Sequence, residues 1–455
     1  MTPVVPFVLA SVLLVGAVAV ADPFIPGDLV IYRVGDGQEA LANTGGAVFV
    51  DEYTPSGTLV QSIALPTVVS GNNQPLIASG TAVSEGLLNR STDGRYILLT
   101  GYATTLPAGS SLSSSASADV PRTVGRVAYD GSVDTSTALT DFSDGNNPRS
   151  AASTDGINFW VGGADGGVRY TTLGSATSFQ LSTDSKNIRA VEIFDGQLFM
   201  SSQKASIRVA TVGTGLPTTA GQTITNLPGF PVTGNPNAFF FADLDDATPG
   251  VDTLYVADDT TGGGQIQKYA LVGGSWVATG VVAADTVHGL TGVVTGRVVT
   301  LYTTTSGIDG TAGTLSSFVD NGGYDANISG QVVTVATALS NQTFRGVALA
   351  PEGPPAQTPT ATATTPAVIA PTPTPTPTRT RAATSTPNLT PVPCVGDCDH
   401  NGKITVDELV TGVDIALSTA MLDQCPEFDC NHTQQVTVDC LVKAVNGALD
   451  GCTAQ

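Results

Sequence analysis

Positive charge is scarce in this sequence. The 455 residues include 18 Lys and Arg against 39 Asp and Glu, which gives a formal net charge of -21. Nucleic acids and anionic membrane surfaces are recognised through clustered cations, so the composition argues against both as partners. Charged residues of either sign make up only 13% of the chain, which is about half of their usual share in soluble domains.

Cysteine is absent from the first 393 residues. All six cysteines lie within the last 62 residues, at positions 394, 398, 425, 430, 440 and 452. An even number in so short a segment predicts disulfides and therefore an oxidising compartment. Zinc is the alternative, but the CxxC pairs and the histidine spacing of zinc sites are missing.

Long apolar runs are also missing, except at the N-terminus. Residues 7–20 are apolar, and Ala19, Val20 and Ala21 form a small-residue cleavage site. We therefore predict a signal peptide over residues 1–21 and export of the remaining chain, with no membrane association after cleavage. A membrane anchor is the alternative, which the short run and the missing basic flank disfavour.

Runs rich in Leu, Glu and Lys are missing too, which excludes a mainly helical chain and favours short strands with tight turns. Apolar β-runs follow turn signals at 28–34, 93–102, 155–163, 195–202, 251–259, 296–305 and 345–351. The later runs recur at roughly the length of a four-stranded propeller blade. We predict a mainly β fold with a β-propeller of about seven blades over residues 22–350. Six or eight blades, a β-helix or paired β-sandwiches are the alternatives.

Four segments of this region are DLVIYRVG, DEYTPSGTLVQSIALP, RSTDGRYILLTGY and FFFADLDDATPGVDTLYVADD. Through them, residues 22–350 resemble secreted bacterial seven-bladed propeller proteins of undefined function. The resemblance implies the propeller fold and brings no known activity with it.

Catalytic motifs are missing from the same region. It has one histidine, His288, no cysteine, and no GxSxG, HExxH or helix-preceding GxGxxG element. Paired carboxylates could support glycosidase chemistry, but the sequence does not give their separation. We interpret the acidic segment 243–252 as a polar turn rather than a calcium loop, and Trp160 and Trp276 as blade-packing residues.

Proline and threonine dominate residues 351–393, which contain 12 Pro and 13 Thr. Such a segment cannot form a core, so we predict an extended, semi-rigid linker. It separates the propeller region from a short C-terminal module over residues 394–455.

The module begins with a calcium-loop pattern. Residues 397–408, DCDHNGKITVDE, match D-x-[DN]-x-[DN]-G-x5-E at every fixed position. Calcium prefers about six to eight oxygen ligands, which alternate loop positions supply. The predicted Ca²⁺ ligands are Asp397, Asp399, Asn401, Lys403, Thr405 and Glu408. Lys403 would bind through its carbonyl, Thr405 through water, and Glu408 with both carboxylate oxygens.

A second copy of the loop and its helix follows. Residues 429–449 match residues 397–417 at 11 of 21 positions. Gln434 replaces the turn glycine and Cys440 replaces the bidentate glutamate, so we expect weaker calcium binding. The remaining oxygen donors of this loop are Asp429, Asn431, Thr433 and Gln435. Each helix also carries an apolar stripe, and we expect the two stripes to pack together. The stripes are Leu409, Val413 and Leu417, and Leu441, Val445 and Leu449.

Cys430 and Cys440 occupy positions two and twelve of the second loop, where a calcium cage would close. We predict a disulfide between them that holds the loop shut without metal. The other four cysteines allow three pairings, one type being a clasp from Cys394 or Cys398 to Cys452.

Two such loop–helix units after a Pro/Thr linker resemble type I dockerins, over residues 394–455. The resemblance implies a small all-α module whose duplicated loops bind calcium and whose helices dock onto a cohesin-type protein. The partner-binding positions, ten and eleven of each loop, become Val406, Asp407, Val438 and Asp439. Dockerins commonly carry small hydroxyl residues there, so this chain departs from the pattern.

Together these features favour a secreted, non-catalytic display protein. A propeller would bind a ligand, carbohydrate being one candidate, and the calcium-dependent module would attach it to a cohesin-like or cell-surface partner. The competing hypothesis is a carbohydrate-active enzyme, a glycoside hydrolase or lyase that breaks down extracellular polysaccharide. A third is that the C-terminal module is a purely structural cap.

Overall fold

The structure is a computed structural model with two compact units, Met1–Ala361 and Thr362–Gln455. The residues that it describes are 21–260, 264–306, 313–354, 395–398, 403–416, 422–430 and 436–450. The predicted signal peptide, apart from Ala21, and most of the predicted linker lie outside these ranges. Within them, no helix is long and apolar enough to cross a membrane.

The described part of the first unit is built from strands, which confirms the mainly β prediction. The first twelve are β1 (Leu29–Val34), β2 (Gly46–Tyr53), β3 (Leu59–Ala64), β4 (Ile77–Ala78), β5 (Asn89–Arg90), β6 (Tyr96–Tyr102), β7 (Arg122–Ala128), β8 (Val133–Leu139), β9 (Pro148–Ser153), β10 (Asn158–Gly163), β11 (Val168–Thr172) and β12 (Phe179–Gln180). The others are β13 (Ile188–Phe194), β14 (Gln197–Ser202), β15 (Val209–Val212), β16 (Ile224–Asn226), β17 (Pro236–Ala242), β18 (Thr253–Asp258), β19 (Gln265–Val272), β20 (Ser275–Ala283), β21 (Val287–Thr295), β22 (Val298–Thr305), β23 (Thr314–Asp320), β24 (Val333–Thr337) and β25 (Thr343–Leu349). A short 3₁₀ helix spans Leu112–Ser114.

These strands form antiparallel sheets arranged as propeller blades. Four sheets have four strands each and contain β9 to β12, β13 to β16, β17 to β20 and β21 to β24. The remaining strands form a nine-stranded sheet. This sheet contains two four-stranded runs, β25-β1-β2-β3 and β5-β6-β7-β8, which β4 joins by pairing with both β2 and β6.

In each four-stranded sheet, and in each four-stranded part of the nine-stranded sheet, one edge strand lies next to a common axis. β5, β9, β13, β17, β21 and β25 contact one another in this order, and β25 also contacts β5. We call these six the inner strands. β25 closes the ring by pairing with β1 from the other end of the unit, from Leu29↔Leu349 to Val34↔Thr343. The two ends of the propeller therefore share one sheet.

The prediction of about seven blades is wrong. The structure has four separate four-stranded blades, and the nine-stranded sheet takes the place of the others. Six of the seven apolar runs in the sequence are the strands β1, β6, β10, β14, β18 and β22, which lie second from the axis. The seventh run is β25, which joins the sheet of β1 instead of starting a new blade.

Both tryptophans of the propeller pack inside it, as the sequence predicts. Trp276 is 5% exposed, and its ring centroid lies 5.4 Å from that of Phe241. Trp160 is 3% exposed, and its indole N–H donates to the carbonyl of Pro217 at 2.7 Å. A buried indole with a satisfied N–H contributes a large apolar surface at little polar cost.

The described residues of the second unit form two α-helices, α1 (Val406–Ala416) and α2 (Val438–Asp450), and two 3₁₀ helices, Leu422–Gln424 and Pro426–Phe428. Phe428 is fully buried in the centre of this unit. A Cβ on Gly412 would lie 2.3 Å from the Phe428 ring. Helix α1 therefore approaches this ring so closely only because residue 412 is a glycine.

The predicted apolar stripes on the helices are only partly buried. Leu409 and Leu441 pack against the core around Phe428, but Val413 and Val445 are 44% and 42% exposed. The side chains outside the described residues include those of Leu417 and Leu449. The stripe prediction fails at the valines because each helix turns its small residues toward Phe428, which rotates the valines outward.

Two disulfides link the described residues of this unit. Cys430 is bonded to Cys440, which is the pairing that their loop positions predict. Cys398 is bonded to Cys425, so the suggested clasp between Cys398 and Cys452 is wrong. Cys425 belongs to the small core around Phe428, and Cys440 is also fully buried. Cys394 and Cys452 lie outside the described residues.

Candidate functional site

The two ends of the first predicted calcium loop lie next to each other. Glu408 Oε1 accepts a hydrogen bond from the N–H of Cys398 at 2.7 Å. Glu408 Oε2 accepts one from the N–H of Thr405 at 2.8 Å and one from its hydroxyl at 2.9 Å. The sequence T-x-x-E thus forms a capping box at the start of α1. This box brings loop position twelve next to loop position two.

The other predicted ligands of this loop are distributed as follows. Asp397 is only 2% exposed, whereas the side chains of Lys403 and Thr405 are exposed. Asp399 and Asn401 lie outside the described residues. Within the described ranges, no three His, Cys, Asp or Glu side chains gather in a group that could hold a metal ion. The chemistry of the donors nevertheless suits Ca²⁺, because a buried aspartate and a loop-facing glutamate are hard oxygen donors.

The second loop is closed by the bond between Cys430 and Cys440. Asp429 follows the 3₁₀ helix Pro426–Phe428, and its N–H donates to the carbonyl of Pro426 at 3.0 Å. Three predicted donors of this loop lie outside the described residues, namely Asn431, Thr433 and Gln435. The disulfide therefore holds positions two and twelve together, as Glu408 does in the first loop.

The predicted partner-binding positions lie at the start of the two helices. Val406 begins α1 and is 74% exposed. Asp407 is the second residue of α1, and Val438 and Asp439 are the first two of α2. The side chains of these last three lie outside the described residues.

A second candidate site is a cavity of about 200 Å³ at the axis of the propeller. All six inner strands contribute to its wall. Its polar side chains include Asn89, Arg90, Ser153 and Glu192. Phe194 and Phe240 supply aromatic surface on one side, with ring centroids 6.0 Å apart.

Glu192 is the one carboxylate among the described residues that line this cavity. Burial raises the pKa of Glu192 well above its ordinary value. Arg90, also in the wall, is engaged by the Glu352 carboxylate at 2.9 Å. The Glu192 carboxyl therefore keeps its proton at a pH where surface glutamates are ionised, and it can donate a hydrogen bond into the cavity.

The acidic segment 243–252 forms a hydrogen-bonded turn between β17 and β18. Asp252 is fully buried, and its carboxylate accepts hydrogen bonds from the N–H groups of Leu244 and Asp245 at 3.1 and 2.7 Å. The hydroxyl of Thr253 donates to it as well, at 2.7 Å. The aspartate is thus satisfied by its own turn.

Sequence reasoning missed Glu192 and the rest of the cavity wall. The inner strands supply one or a few residues each, from six distant parts of the chain. No local motif joins them. A signal existed only in AVEIF (190–194), where a glutamate interrupts an otherwise apolar segment.

No protein-family model matches this sequence, and no curated protein matches it either. Solved structures resemble it only weakly. A nidogen/laminin complex has 12% identity and a TM-score of 0.38, covering 71% of this chain and 98% of that one. TolB from Acinetobacter baumannii has 12% identity and a TM-score of 0.42, with coverages of 71% and 67%. The Dos1 propeller has 12% identity and a TM-score of 0.34, with coverages of 57% and 73%.

Identities and TM-scores this low carry no argument about activity. The sheets themselves define the fold, because four-stranded antiparallel blades follow one another and the last strand pairs with the first. The first unit of this chain is therefore a β-propeller.

Proposed function

We propose that this chain is an exported, non-catalytic binding protein. The β-propeller is its binding platform, and the C-terminal module attaches it to a cohesin-type or cell-surface protein in a calcium-dependent way. One observation carries the proposal. The Glu408 carboxylate, which the calcium-loop pattern requires, already reaches back to the backbone of Cys398 and Thr405 across the loop that would hold the ion.

The two loops support a single strong calcium site. In the first, the glutamate at position twelve can exchange its backbone hydrogen bonds for Ca²⁺. In the second, the disulfide between Cys430 and Cys440 already joins the positions that a metal would bring together. A covalent link across a short loop removes the need for metal to order it.

Exposed valines on the two helices support the attachment role. Val410 and Val442 are 54% and 51% exposed, and they occupy equivalent positions of the two repeats. Val413 and Val445, also equivalent, are 44% and 42% exposed. Clustered apolar side chains on a small module favour contact with another protein.

The cavity at the propeller axis favours binding over glycoside hydrolysis. Most glycoside hydrolases need a pair of carboxylates that flanks the scissile bond, one on each side. The described residues of the cavity wall contribute Glu192 alone. A single carboxyl without a second carboxylate opposite it does not form the pair that glycoside hydrolysis uses, whereas an arginine and two phenylalanines suit recognition.

Calorimetric titration of the purified exported chain with Ca²⁺ tests the proposal. We expect Asp397→Ala to lower the affinity roughly tenfold or more, because it removes the first ligand of the intact loop. The matched variant Asp429→Ala, in the disulfide-closed loop, should change it much less. Equal losses from the two substitutions would contradict the assignment of a single strong site.

Attachment is tested by capture on an immobilised cohesin-type module, with Ca²⁺ and with a chelator. We expect capture only with Ca²⁺. The variant Val442→Lys should keep the calcium affinity and lose capture, because Val442 lies on the exposed apolar surface and outside both loops. Capture that persists in chelator would refute a calcium-dependent attachment.

A further inference from the structure

Basic side chains gather where the inner strands begin. Arg149 and Arg189 are the second residues of β9 and β13, and Arg345 is the third residue of β25. His288 is the second residue of β21 and Asn237 the second of β17. Five of the six inner strands thus place a polar side chain at the same end. We call Arg149, Arg189 and Arg345 the arginine cluster.

Hydrogen bonds between neighbouring blades hold these strand ends in place. The N–H of Leu87 donates to the carbonyl of Arg149 at 3.0 Å. The amide of Asn237 donates to the carbonyl of Val287 at 3.2 Å, next to His288. The hydroxyl of Thr304 donates to the carbonyl of Arg345. The cluster is therefore fixed by the ring and not by flexible loops.

The arginines of the cluster keep unused donors. Arg345 is fully buried and Arg149 is 6% exposed, while Arg189 is partly exposed and gives solvent access to the cluster. The Nε atoms of all three are buried without a hydrogen-bond partner. Their other bonds go to neutral groups. Arg149 Nη1 contacts Asn187 Oδ1 at 2.5 Å, Arg345 Nη2 contacts the Gly80 carbonyl at 3.2 Å, and Arg189 Nη2 contacts Gln203 Oε1.

The arginines and His288 lie close enough to affect one another's pKa values. Burial and the neighbouring Arg189 lower the pKa of Arg149 to about 9. Burial, followed by Arg345 and Arg189, lowers the pKa of His288 to about 3. Positive charge therefore accumulates around a neutral imidazole, which is an unfavourable arrangement until a counter-charge arrives.

The nearby acids, Glu85 and Asp259, attract the arginines from a distance but form no ion pair with them. Glu85 is buried, and its carboxylate is occupied by the Tyr102 hydroxyl at 2.5 Å, the Asn147 amide at 2.5 Å and the Ser79 N–H at 3.0 Å. Burial also raises its pKa. Asp259 accepts a long hydrogen bond, of 3.4 Å, from Gln203. None of the ion pairs among the described residues involves any of the three arginines.

We propose that the arginine cluster binds an oxyanion group, a carboxylate, sulfate or phosphate, of the ligand that the propeller holds. A guanidinium presents its Nε–H and Nη–H groups as a fork that matches two oxygens of such a group. In a chain of net charge -21, three converging arginines with free donors are a selective site for an anion. The inference rests on the proposed platform function for its biological role, but not on the calcium module.

The first test is calorimetric titration of the exported chain with citrate, inorganic sulfate and inorganic phosphate, after calcium has been removed with EDTA and the EDTA has been dialysed away, at an ionic strength kept constant with NaCl. We expect saturable binding of at least one of them, and the one that binds tightest identifies the oxyanion class. The absence of calcium separates this test from that of the module, since a failed calcium titration would leave its result unchanged. No saturable binding of any of the three at about 10 mM would overturn the proposal.

Variants locate the site. Arg189→Gln should weaken binding roughly tenfold or more, because it removes one charged donor. Arg208→Gln is the matched control. Arg208 is 9% exposed with a buried, unpartnered Nε, but it precedes β15, away from the inner strands. An equal loss in both variants would show that binding follows net charge and would refute the site.

His288 provides a readout that leaves the arginines unchanged. It is the only histidine before residue 400, so its imidazole resonances can be assigned by comparison with His288→Gln. Binding of the anion next to it should shift these resonances in parallel with the calorimetric isotherm. Resonances that stay unchanged at saturating anion would place the anion elsewhere and overturn the proposal.

Discussion

At the scale of single residues, Glu408 serves two functions in one position. It caps α1 through Thr405 and it closes the first loop through Cys398. Glutamine has the same volume but lacks the charge. We expect Glu408→Gln to cost α1 about 1 kcal/mol or less without calcium, and to lower calcium affinity roughly tenfold or more, because a bidentate carboxylate is lost. Circular dichroism and calorimetry measure the two effects.

Glu427→Gln, in the same module but outside both loops, is the control, and an equal loss of affinity there would refute the role of Glu408.

Glu192 predicts a pH dependence whose sign follows from its raised pKa. At low pH both the folded and the unfolded chain carry the proton, so the raised pKa does not lower the free energy of unfolding. As the pH rises above about 4.3, the unfolded chain releases this proton first, and the folded state loses stability until its own pKa is reached. Glu192→Gln removes this loss. In urea denaturation, the variant should gain stability over the parent at about pH 8 and not at about pH 4.

The exposed Glu39 supplies the control for that experiment, because Glu39→Gln should change stability little at either pH. A gain from Glu192→Gln that is the same at both pH values would mean that packing, and not charge, is responsible. The sequence could not have predicted this residue. The cavity around it is built with residues of five other inner strands, whereas Asp397 and Glu408 were recognisable because calcium-loop ligands follow one another in the chain.

At the scale of elements, the strands were predictable to different degrees. The strands second from the axis were recognised because an apolar run follows a turn, as in DGRYILLTGY and DGINFWVGG. Apart from β25, the inner strands were not, and Pro148–Ser153 shows why, since it reads PRSAAS and looks like a loop. All six of its residues are nevertheless buried. In this strand small and polar residues fill buried positions, so the apolar alternation that marks a strand elsewhere is missing.

Two blades are joined by a buried ion pair, which yields a prediction about elements. Lys268 of β19 lies 2.8 Å from the carboxylate of Asp320 of β23, with both side chains fully buried. The hydroxyl of Tyr255 also donates to Asp320 at 2.7 Å. Lys268→Met should destabilise the propeller by about 3–5 kcal/mol, because it leaves a buried carboxylate without its counter-charge. Urea denaturation measures the change.

The double variant Lys268→Met/Asp320→Asn tests the cause. It should recover part of the loss, since asparagine carries no charge and can still accept from Tyr255. Lys186→Met is the surface control, because Lys186 lies 3.9 Å from Asp165 with its side chain 65% exposed, and it should cost less than about 1 kcal/mol. A double variant as unstable as the single one would show that Lys268 acts through packing alone.

At the scale of the whole molecule, the sequence predicted the propeller fold correctly but not the number of blades. Counting strand runs assumes that each run begins a blade. The run at residues 345–351 instead returns to the sheet of β1, and β4 merges two four-stranded runs into one sheet. Both are contacts between segments far apart in the chain, and local patterns hold no information about which distant strand a given run will pair with.

Closure by β25 leads to a prediction about the whole ring. Phe344 of β25 is fully buried, and its ring meets that of Tyr53 from β2 at a centroid distance of 5.9 Å. Phe344→Ala should cost about 3–5 kcal/mol. Because each blade is held by its neighbours, this loss should lower the protection of amide hydrogens in β9 to β24 as well as in β1 and β2.

The control is Phe179→Ala, because the Phe179 side chain is 68% exposed in the propeller. This substitution should change stability by less than about 0.5 kcal/mol. Loss of protection confined to β1, β2 and β25 would show that the blades fold independently and that closure is not what unites them.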